Sequence, residues 1–335
     1  MNDRVTLSHG SGGRQMQELI GTLFLRTFGM DLPLTDSAVL NESGTGFAFT
    51  TDSYVVDPLF FPGGNIGKLA VCGTVNDLAV SGAVPLYISA AFIIEEGFPV
   101  ADLEKIARSM AEEALNAGVR IVTGDTKVVG KGKCDNMFIT TSGIGLMRPG
   151  FEHLGKASGV AGGDRLIING PLGNHAVAVL GSRNNLSFSS SVISDCASLN
   201  HMISSLLDEC SDIHFMRDLT RGGLASVLNE LASMRSVGIA VGELSIPVDD
   251  PVRGVCEILG FDPLQLANEG KVLIVAGEKV YTKALEIIRS HPLGKQAAVI
   301  GEVVSEHKGV VELNTSSGGR RILETPSGIL LPRIC

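Results

Sequence analysis

The sequence contains no tryptophan and only three tyrosines, and aromatic residues make up 5% of its 335 residues. Hydrophobic residues nevertheless reach 44%, so any core must be built mainly from Val, Ile, Leu and Ala. A chain of this length is typical of two domains of ordinary size. We therefore expect two aliphatic cores.

Long hydrophobic runs and an excess of basic residues are also missing. A membrane-spanning helix needs roughly 18 apolar residues, whereas the longest strongly apolar run, LYISAAFII, is only long enough for a strand. The first residues, MNDRVTLSHGSGG, lack the apolar core of a signal peptide. The net charge of −9 argues against a surface-wide nucleic-acid interface. We expect a cytoplasmic protein that binds neither membrane nor nucleic acid.

The six cysteines form no CxxC pair and no zinc-ligand spacing. Five of them are internal, and we expect these to be reduced thiols: Cys72, Cys134, Cys196, Cys210 and Cys256. The sixth, Cys335, is the last residue of the sequence, in LLPRIC. A thiol in that position is informative only if the rest of the chain supplies something for it to reach.

Helical and strand patterns alternate along the chain, which predicts an α/β (α+β) fold. The glycine-rich stretch GFEHLGKASGVAGGD is the best candidate for a domain boundary. We predict an N-terminal α/β domain over residues 1–155 and a C-terminal α/β domain over 156–314. From about Thr315, glycine, serine, proline and charged residues dominate. Residues 315–335 are therefore predicted to form a mobile tail, which from Gly319 onward reaches about 50 Å if extended.

Four aspartates share one kind of setting: Asp52 in FTTDSYVV, Asp77 in GTVNDLAVSG, Asp125 in IVTGDTKVV and Asp218 in HFMRDLTRGG. Each lies among apolar or small residues, where a lone carboxylate is costly to ionise. Carboxylates gathered with few compensating cations are typical of magnesium–nucleotide sites. For each aspartate taken alone we favour a turn or helix-cap role. It is the recurrence of four in such surroundings that favours a binding site, although the sequence alone does not show that they converge.

Other polar residues stand at the ends of apolar segments. Arg221 and Gly222 precede a predicted helix, where free N–H groups bind anions, although Thr220 also fits a simple N-cap turn. Lys127 in GDTKVV and Glu269 in ANEGKVLIV enter apolar strands and are candidates for catalysis. The glycine-rich SHGSGGR is suited to cradle phosphate or to form a flexible segment.

The standard nucleotide-binding motifs are absent. FPGGNIGKL lacks the glycine spacing of a P-loop and the Ser or Thr after Lys68, and no GxGxxG follows a predicted strand. A bound nucleotide would therefore occupy neither a P-loop nor a Rossmann site.

Taken together, six segments resemble the HypE family of hydrogenase maturation proteins: HGSGG, TTDSYVVDPLFFPGGNIGKLAVCGTVNDLAVSGAVP, TGDTKVV, RDLTRGG, ANEGK and PRIC. That family is part of an ATP-using superfamily with aminoimidazole ribonucleotide synthetase, selenophosphate synthetase and thiamine-monophosphate kinase. The resemblance runs from His9 to Cys335, and the long block and PRIC are specific to HypE. One departure is Asn174 in PLGNHAVAVL, where the superfamily has an acidic residue.

The resemblance implies a two-domain aminoimidazole ribonucleotide synthetase-like fold, in which strands of the first domain pair with a second subunit. The cofactors it implies are ATP and Mg²⁺. Its implied metal ligands are Asp52, Asp77, Asp125 and Asp218. These four would also contact the nucleotide, together with Thr126, Asn268, Thr220, Arg221 and Gly222. The implied catalytic residues are Cys335, Lys127 and Glu269.

The activity implied by the resemblance is carried on Cys335. The carbamoyltransferase HypF loads a carbamoyl group onto the thiol, and ATP-dependent dehydration converts this S-carboxamide to an S-thiocyanate. The cyanide moiety then passes to iron on the HypC–HypD complex for [NiFe]-hydrogenase. Glu269 is the candidate base for the amide proton, or alternatively a salt-bridge partner of Lys127 or Lys271.

Two other functions remain open from the sequence. A small-molecule phosphotransferase of the same superfamily would have no use for Cys335. A non-enzymatic thiol carrier or scaffold would leave the four aspartates and NEGK without a task.

Overall fold

A computed structural model of the chain describes residues 4–29, 35–42, 44–183 and 192–327. Within these ranges the chain forms two α/β units, each built around one large sheet. The strands of the first unit are β1 (Ala38–Glu42), β2 (Thr45–Tyr54), β3 (Phe60–Phe61), β4 (Gly64–Asn65), β5 (Ala83–Glu95), β6 (Arg120–Val129) and β7 (Met137–Met147). Its helices are α1 (Arg14–Leu19), α2 (Leu25–Phe28), α3 (Ile66–Val80) and α4 (Val100–Ala117).

The second unit follows a run of turns after residue 149. Its strands are β8 (Arg165–Ile168), β9 (Ile213–Asp218), β10 (Gly238–Gly242), β11 (Val272–Ala276), β12 (Ala298–Val304), β13 (Val311–Asn314) and β14 (Arg320–Ile322). Its helices are α5 (Asn174–Gly181), α6 (Asn200–Glu209), α7 (Gly223–Arg235), α8 (Asp250–Leu259) and α9 (Tyr281–Ser290). The predicted α/β class is confirmed.

Helix α3 is the centre of the first unit. The sheet has the order β1-β2-β7-β5-β6, and α3 packs on one of its faces while also touching α4, α6 and β9. The helix begins at Asn65, whose side chain accepts hydrogen bonds from the N–H groups of Gly67 and Lys68. Its side chains are apolar nearly all round, as expected for a helix buried between layers. This packing places the C-terminal turn of α3 beside the second unit.

The opposite face of the first sheet carries apolar side chains that no described residue covers. This outer face includes Tyr87 (42% exposed), Ile93 (41%), Ile144 (41%) and Leu146 (42%). Strand β5 therefore alternates between a buried and an exposed side. The outward-facing side chains of the apolar segment PLYISAAFII are therefore partly exposed within one chain.

The second sheet has the order β14-β13-β10-β12-β8-β11-β9. Strand β9 lies at its edge and ends at Asp218, and the connection to α7 follows immediately. Because β9 also contacts α3, this connection faces the end of that helix. The junction of the two units is therefore formed by α3, β2 and the β9–α7 connection.

The predicted tail begins later than the composition suggested. Strand β14 pairs antiparallel with β13, and Leu323 is fully buried, with its N–H donating to the Val311 carbonyl at 2.9 Å. The turn over residues 315–319 and strand β14 therefore belong to the second unit, and the predicted start of the tail at residue 315 is too early. Cys335 lies outside the described residues. The domain boundary near residue 155 stays a prediction.

Two simpler expectations concern membranes and thiols. Across the described ranges, no helix combines the length and hydrophobicity needed to cross a membrane. The five internal cysteines are all free thiols, as predicted, and four of them are buried.

Candidate functional site

Three aspartates from different elements converge at the junction of the two units. Asp36 precedes β1, Asp77 lies in the last turn of α3, and Asp218 ends β9. One carboxylate oxygen of each lies within 4.8 Å of the others. The Thr50 hydroxyl lies 2.7 Å from Asp77 Oδ2 and 2.8 Å from the Asp36 carbonyl oxygen. We call Asp36, Asp77 and Asp218 the acidic triad; its all-oxygen donor set suits a hard divalent cation such as magnesium.

Burial raises the pKa of each carboxyl group in the acidic triad. The pKa of Asp77 rises well above its usual value, first through burial and then through repulsion from Asp52 and Asp218. Asp218 is shifted in the same direction by burial and by its acidic neighbours. Burial raises the pKa of Asp36 to about 7, against the opposing charge of Arg217. A bound cation would replace the protons that these groups otherwise retain near neutral pH.

Two adjoining cavities open at the acidic triad. The smaller, of about 340 Å³, is lined by the triad together with Asp52, Thr220, Arg221 and Glu269. The larger, of about 610 Å³, lies between the N-terminal helix and α7 and has apolar walls that include Met16, Ile20, Val227 and Met234. Both cavities share the Asp36, Asp218, Thr220 and Arg221 lining. An acidic chamber beside an apolar one fits a phosphate chain joined to a nucleoside.

Glu269 is the most unusual group in the smaller cavity. Its side chain is buried, and its Oε1 accepts no hydrogen bond from any residue in the described part of the chain. Burial raises its pKa well above the usual value. Its backbone is held firmly, because its N–H donates to Asp195 Oδ1 at 3.3 Å and its carbonyl accepts from Ala197 N–H at 3.3 Å. Lys271 pairs with Asp195 at 3.2 Å, so the structure does not bear out the salt-bridge alternative.

Four further predicted site residues lie at or beside the cavities, in addition to Asp77, Asp218 and Glu269. Asp52 lines the smaller cavity without joining the acidic triad, and its Oδ2 accepts a hydrogen bond from the Tyr54 hydroxyl at 3.2 Å. Thr220 and Arg221 line both cavities. Gly222 adjoins them as the N-cap of α7.

Strand β6 lies elsewhere and carries three more predicted site residues. Asp125 lies opposite Ala91 of β5 in the strand register, on the outer face. Its carboxylate forms an exposed ion pair with Lys127 Nζ at 2.9 Å. The strand order places β6 three strands from β2, a separation of about 14 Å. Asp125, Thr126 and Lys127 line neither cavity. Within one chain, the prediction that Asp125 and Lys127 share a site with Asp77 and Glu269 is therefore wrong.

Asn268 is buried and has a structural role instead. Its Oδ1 accepts the Gly173 N–H at 2.8 Å, and its Nδ2 donates to the carbonyls of Leu219 and Leu266 at 3.0 Å each. These bonds help to fix the β9–α7 connection, and the predicted contact of Asn268 with the nucleotide stays a prediction. Asn174 donates to Asp249 Oδ2 at 2.9 Å and lines neither cavity.

Sequence reasoning missed Asp36, although a signal for it exists. Residues 35–37 read TDS before an apolar strand, and residues 51–53 repeat the same TDS within FTTDSYVV. The recurrence of one tripeptide at two strands would have singled out Asp36 beside Asp52. Thr50 gives no comparable signal, because its contact with Asp77 depends on how α3 packs on β2.

Comparison with known proteins matches both units to domains of one group of related proteins. Residues 34–147 match the N-terminal domain of AIR synthase related proteins, and residues 161–314 match the C-terminal domain. The chain is 51% identical to carbamoyl dehydratase HypE of Rhodobacter capsulatus, over 100% of this chain and 99% of the relative.

Two solved structures are similar over most of their length. A HypE–HypF complex gives a TM-score of 0.87 at 48% identity, covering 92% of this chain and 99% of that one. HypE in complex with ATP gives 0.83 at 45% identity, covering 99% of this chain and 100% of that one. The similarity therefore includes both units and the junction between them.

Proposed function

Because the chain belongs to the HypE family of carbamoyl dehydratases, within the AIR synthase related proteins, we propose that it converts an S-carboxamide on Cys335 to an S-thiocyanate. The reaction is driven by ATP, and its product supplies a cyanide ligand for the iron of [NiFe]-hydrogenase. HypF is the proposed donor of the carbamoyl group, and a HypC–HypD complex carrying iron is the proposed acceptor. The reaction takes place in the cytoplasm.

The observation that carries this proposal is the Glu269 carboxyl group, whose buried Oε1 has no hydrogen-bond partner among the described residues, in the cavity that the acidic triad also lines. A kinase needs a phosphate site and a nucleophile, whereas a dehydratase also needs a base to remove amide protons. A buried carboxylate with a raised pKa is a stronger base once ionised. Glu269 supplies such a group beside the proposed phosphate site.

The proposed reaction has two steps. The amide oxygen attacks the γ-phosphorus, ADP leaves, and one N–H proton is released, which gives an O-phosphorylated imidate. Removal of the second N–H proton then forms the C≡N bond as the C–O bond breaks and phosphate leaves. Phosphorylation is required because an amide oxygen is otherwise a poor leaving group. Glu269 is the proposed acceptor of an N–H proton, and Arg221 and Thr220 are placed to bind phosphate oxygens.

The acidic triad fits magnesium, because three closely spaced carboxyl groups whose pKa values are raised by burial are costly to ionise without a cation. Asp36, Asp77 and Asp218 would hold the ion, and Asp52 lines the same cavity. Bound magnesium would orient ATP and neutralise its phosphate charge. Thr50 and Arg217 hold the side chains of Asp77 and Asp36 in place.

We also propose a homodimer formed through the outer face of the first sheet. Contiguous apolar surface of this kind is rare on monomeric proteins, and β6 is an edge strand whose far side no described strand pairs. Asp125 and Lys127 lie on this same surface. Their proposed roles in phosphate and metal binding therefore require that one copy supplies them to the site of the other.

Intact-mass measurement tests the proposed reaction directly. Carbamoylation by HypF should add about 43 Da at Cys335, and dehydration with ATP should then remove about 18 Da. A Cys335→Ala chain should show neither change. A wild-type chain that is carbamoylated and hydrolyses ATP without losing this mass would contradict the proposal.

A further inference from the structure

The N-terminal glycine pair Gly12–Gly13 lies directly against the last described part of the chain. The Arg14 N–H donates to the Pro326 carbonyl oxygen at 3.3 Å. A Cβ atom built on Gly13 would lie 2.5 Å from that same oxygen and 3.9 Å from Ser327 Cα. Because the blocking atom belongs to the backbone, a side chain at Gly13 cannot be accepted without moving residues 326–327.

The other side of the glycine pair contacts the β9–α7 connection. Gly12 has a φ of +80°, and a Cβ there would lie 2.6 Å from Arg221 Cβ. Its carbonyl oxygen accepts a long hydrogen bond from the Ser226 hydroxyl at 3.5 Å. This connection carries Thr220 and Arg221 of the candidate site. One turn of the N-terminal segment therefore separates residues 326–327 from the site.

Residues 323–327 are anchored upstream of that contact. Leu323 is fully buried, and its carbonyl accepts a hydrogen bond from Asn229 Nδ2 on α7 at 2.9 Å. Thr325 lines the larger cavity together with Gly12 and Asp218. The chain therefore runs from the α7 anchor, along the cavity wall, to the glycine pair.

We propose that Gly12 and Gly13 form a guide, a positioning surface that holds residues 324–327 at the cavity and thereby directs the following residues, with Cys335, towards the acidic triad. The guide rests on the proposed function for its purpose, but its contacts do not depend on it. It gives the N-terminal HGSGGR segment a role in docking the chain's own C-terminal region. Only glycine fits, because the two backbone segments touch without room for a side chain.

Two matched glycine variants in the full-length chain test the guide. Gly13→Ala places a methyl group against the Pro326 oxygen, whereas Gly10→Ala meets nothing within 4 Å. Hydrogen–deuterium exchange should become faster at Arg14 and in residues 323–327 for Gly13→Ala alone. Carbamoylation of Cys335 should be unchanged, while thiocyanate formation should slow by about tenfold or more, because the reacting group is no longer held in place.

A second pair of variants avoids any general effect on folding. Arg14 is the first residue of α1, a position that tolerates proline, so Arg14→Pro deletes the N–H that binds Pro326 and keeps the helix start. Arg14→Ala removes the same side chain but keeps that N–H. Slower dehydration and faster exchange in Arg14→Pro, with Arg14→Ala close to wild type, support the guide.

The guide is overturned if Gly13→Ala and Gly10→Ala show equal exchange, or if Gly13→Ala loosens residues 323–327 without slowing dehydration. Failure of the proposed function looks different, because carbamoylated wild-type protein would then give no thiocyanate at all. In that case the hydrogen–deuterium exchange rates alone test the guide. Faster exchange only in Gly13→Ala and Arg14→Pro supports the guide, and any other pattern overturns it.

Discussion

Arg217 Nε lies 2.9 Å from Asp36 Oδ2, which joins the second unit to the segment that precedes the first sheet. The same guanidinium binds Glu230 on α7 at 3.1 Å. Arg217 lies next to Asp218 in β9, so one buried cation is shared by the structural anchor and the acidic triad. Removing Asp36 should therefore change both metal affinity and folding, because it also takes a partner from the largely buried guanidinium.

We expect Asp77→Asn to reduce ATP turnover by at least about a hundredfold, because a neutral amide is a weaker ligand for magnesium and no longer positions the phosphates. Isothermal titration with Mg²⁺–ATP, together with ADP release, measures the effect. Asp102→Asn is the matched control, since Asp102 is in an ion pair on α4 outside the cavities. Normal turnover in a folded Asp77→Asn chain would remove Asp77 from the site.

Glu269→Gln should separate nucleotide binding from dehydration. The amide keeps the shape of the side chain but cannot take up a proton, so ATP should still bind while thiocyanate formation falls by about 10²–10⁴-fold. Intact mass after single-turnover mixing would follow the loss of about 18 Da. If Glu269→Gln dehydrates the carbamoylated thiol at the wild-type rate, another group is the base.

The pH dependence of dehydration follows from the same residue. Because burial raises the pKa of Glu269, a larger fraction is protonated near neutral pH than for an ordinary glutamate. The rate should therefore increase with pH until the group is ionised, and it should fall as pH drops below the raised pKa. Rapid-quench measurements across the pH range should show this increase of the dehydration rate with pH in the wild type and not in Glu269→Gln.

The imidazole of His214 should stabilise the second unit at low pH. Its Nδ1 lies 2.7 Å from Asp164 and its Nε2 lies 2.9 Å from Asp212. Burial lowers the pKa of His214, but the hydrogen bonds and charges of the two aspartates outweigh this and raise it. The stabilisation is thus fully present below the unfolded-state pKa and is lost as pH rises through the raised folded-state pKa.

Urea denaturation of His214→Gln tests this. We expect a loss of about 1–2 kcal/mol near pH 5.5, since two charge-assisted contacts disappear. The difference from wild type should shrink at alkaline pH, where the histidine is neutral in both states. A difference that grows with pH would contradict the sign of the shift.

Charge on the outer face should prevent the proposed dimer. Ile144→Asp places a carboxylate in the exposed apolar face, whereas Leu115→Asp changes an even more exposed residue on α4, at 81% against 41%. Light scattering should give the monomer mass of 35.1 kDa for Ile144→Asp, and twice that mass for Leu115→Asp and wild type. A wild-type monomer with full activity would rule out a required dimer.

Mixing two inactive variants tests whether Asp125 acts across that interface. Asp125→Asn and Asp77→Asn chains, refolded together, can form a heterodimer in which one site has both intact residues. If Asp125 serves the partner's site, mixing should restore about a quarter to a half of the wild-type rate. Activity no higher than that of the separate variants would mean that Asp125 has no role across the interface.

Local patterns predicted most of the fold, because long apolar periods specify helices and strands without reference to the rest of the chain. They also singled out Asp52, Asp77, Asp218 and Glu269 as candidates, although only the resemblance implied that these residues share a site. They failed for Asp125 and Lys127, since strand order and sheet face are set by tertiary packing. The tail was judged by composition, and a short edge strand such as β14 depends on its pairing with β13.

The burial of Leu323 turns the end of the chain into a short tether with a fixed origin. From Ser327 to Cys335 the backbone can extend no more than about 28 Å, so on the proposed function the loaded thiol must be met within a sphere of that radius about Ser327. On the proposed function, HypF and the iron-carrying complex must each enter that sphere to meet the thiol. Their footprints should overlap, which would make the two encounters compete and impose an order of delivery without any separate signal.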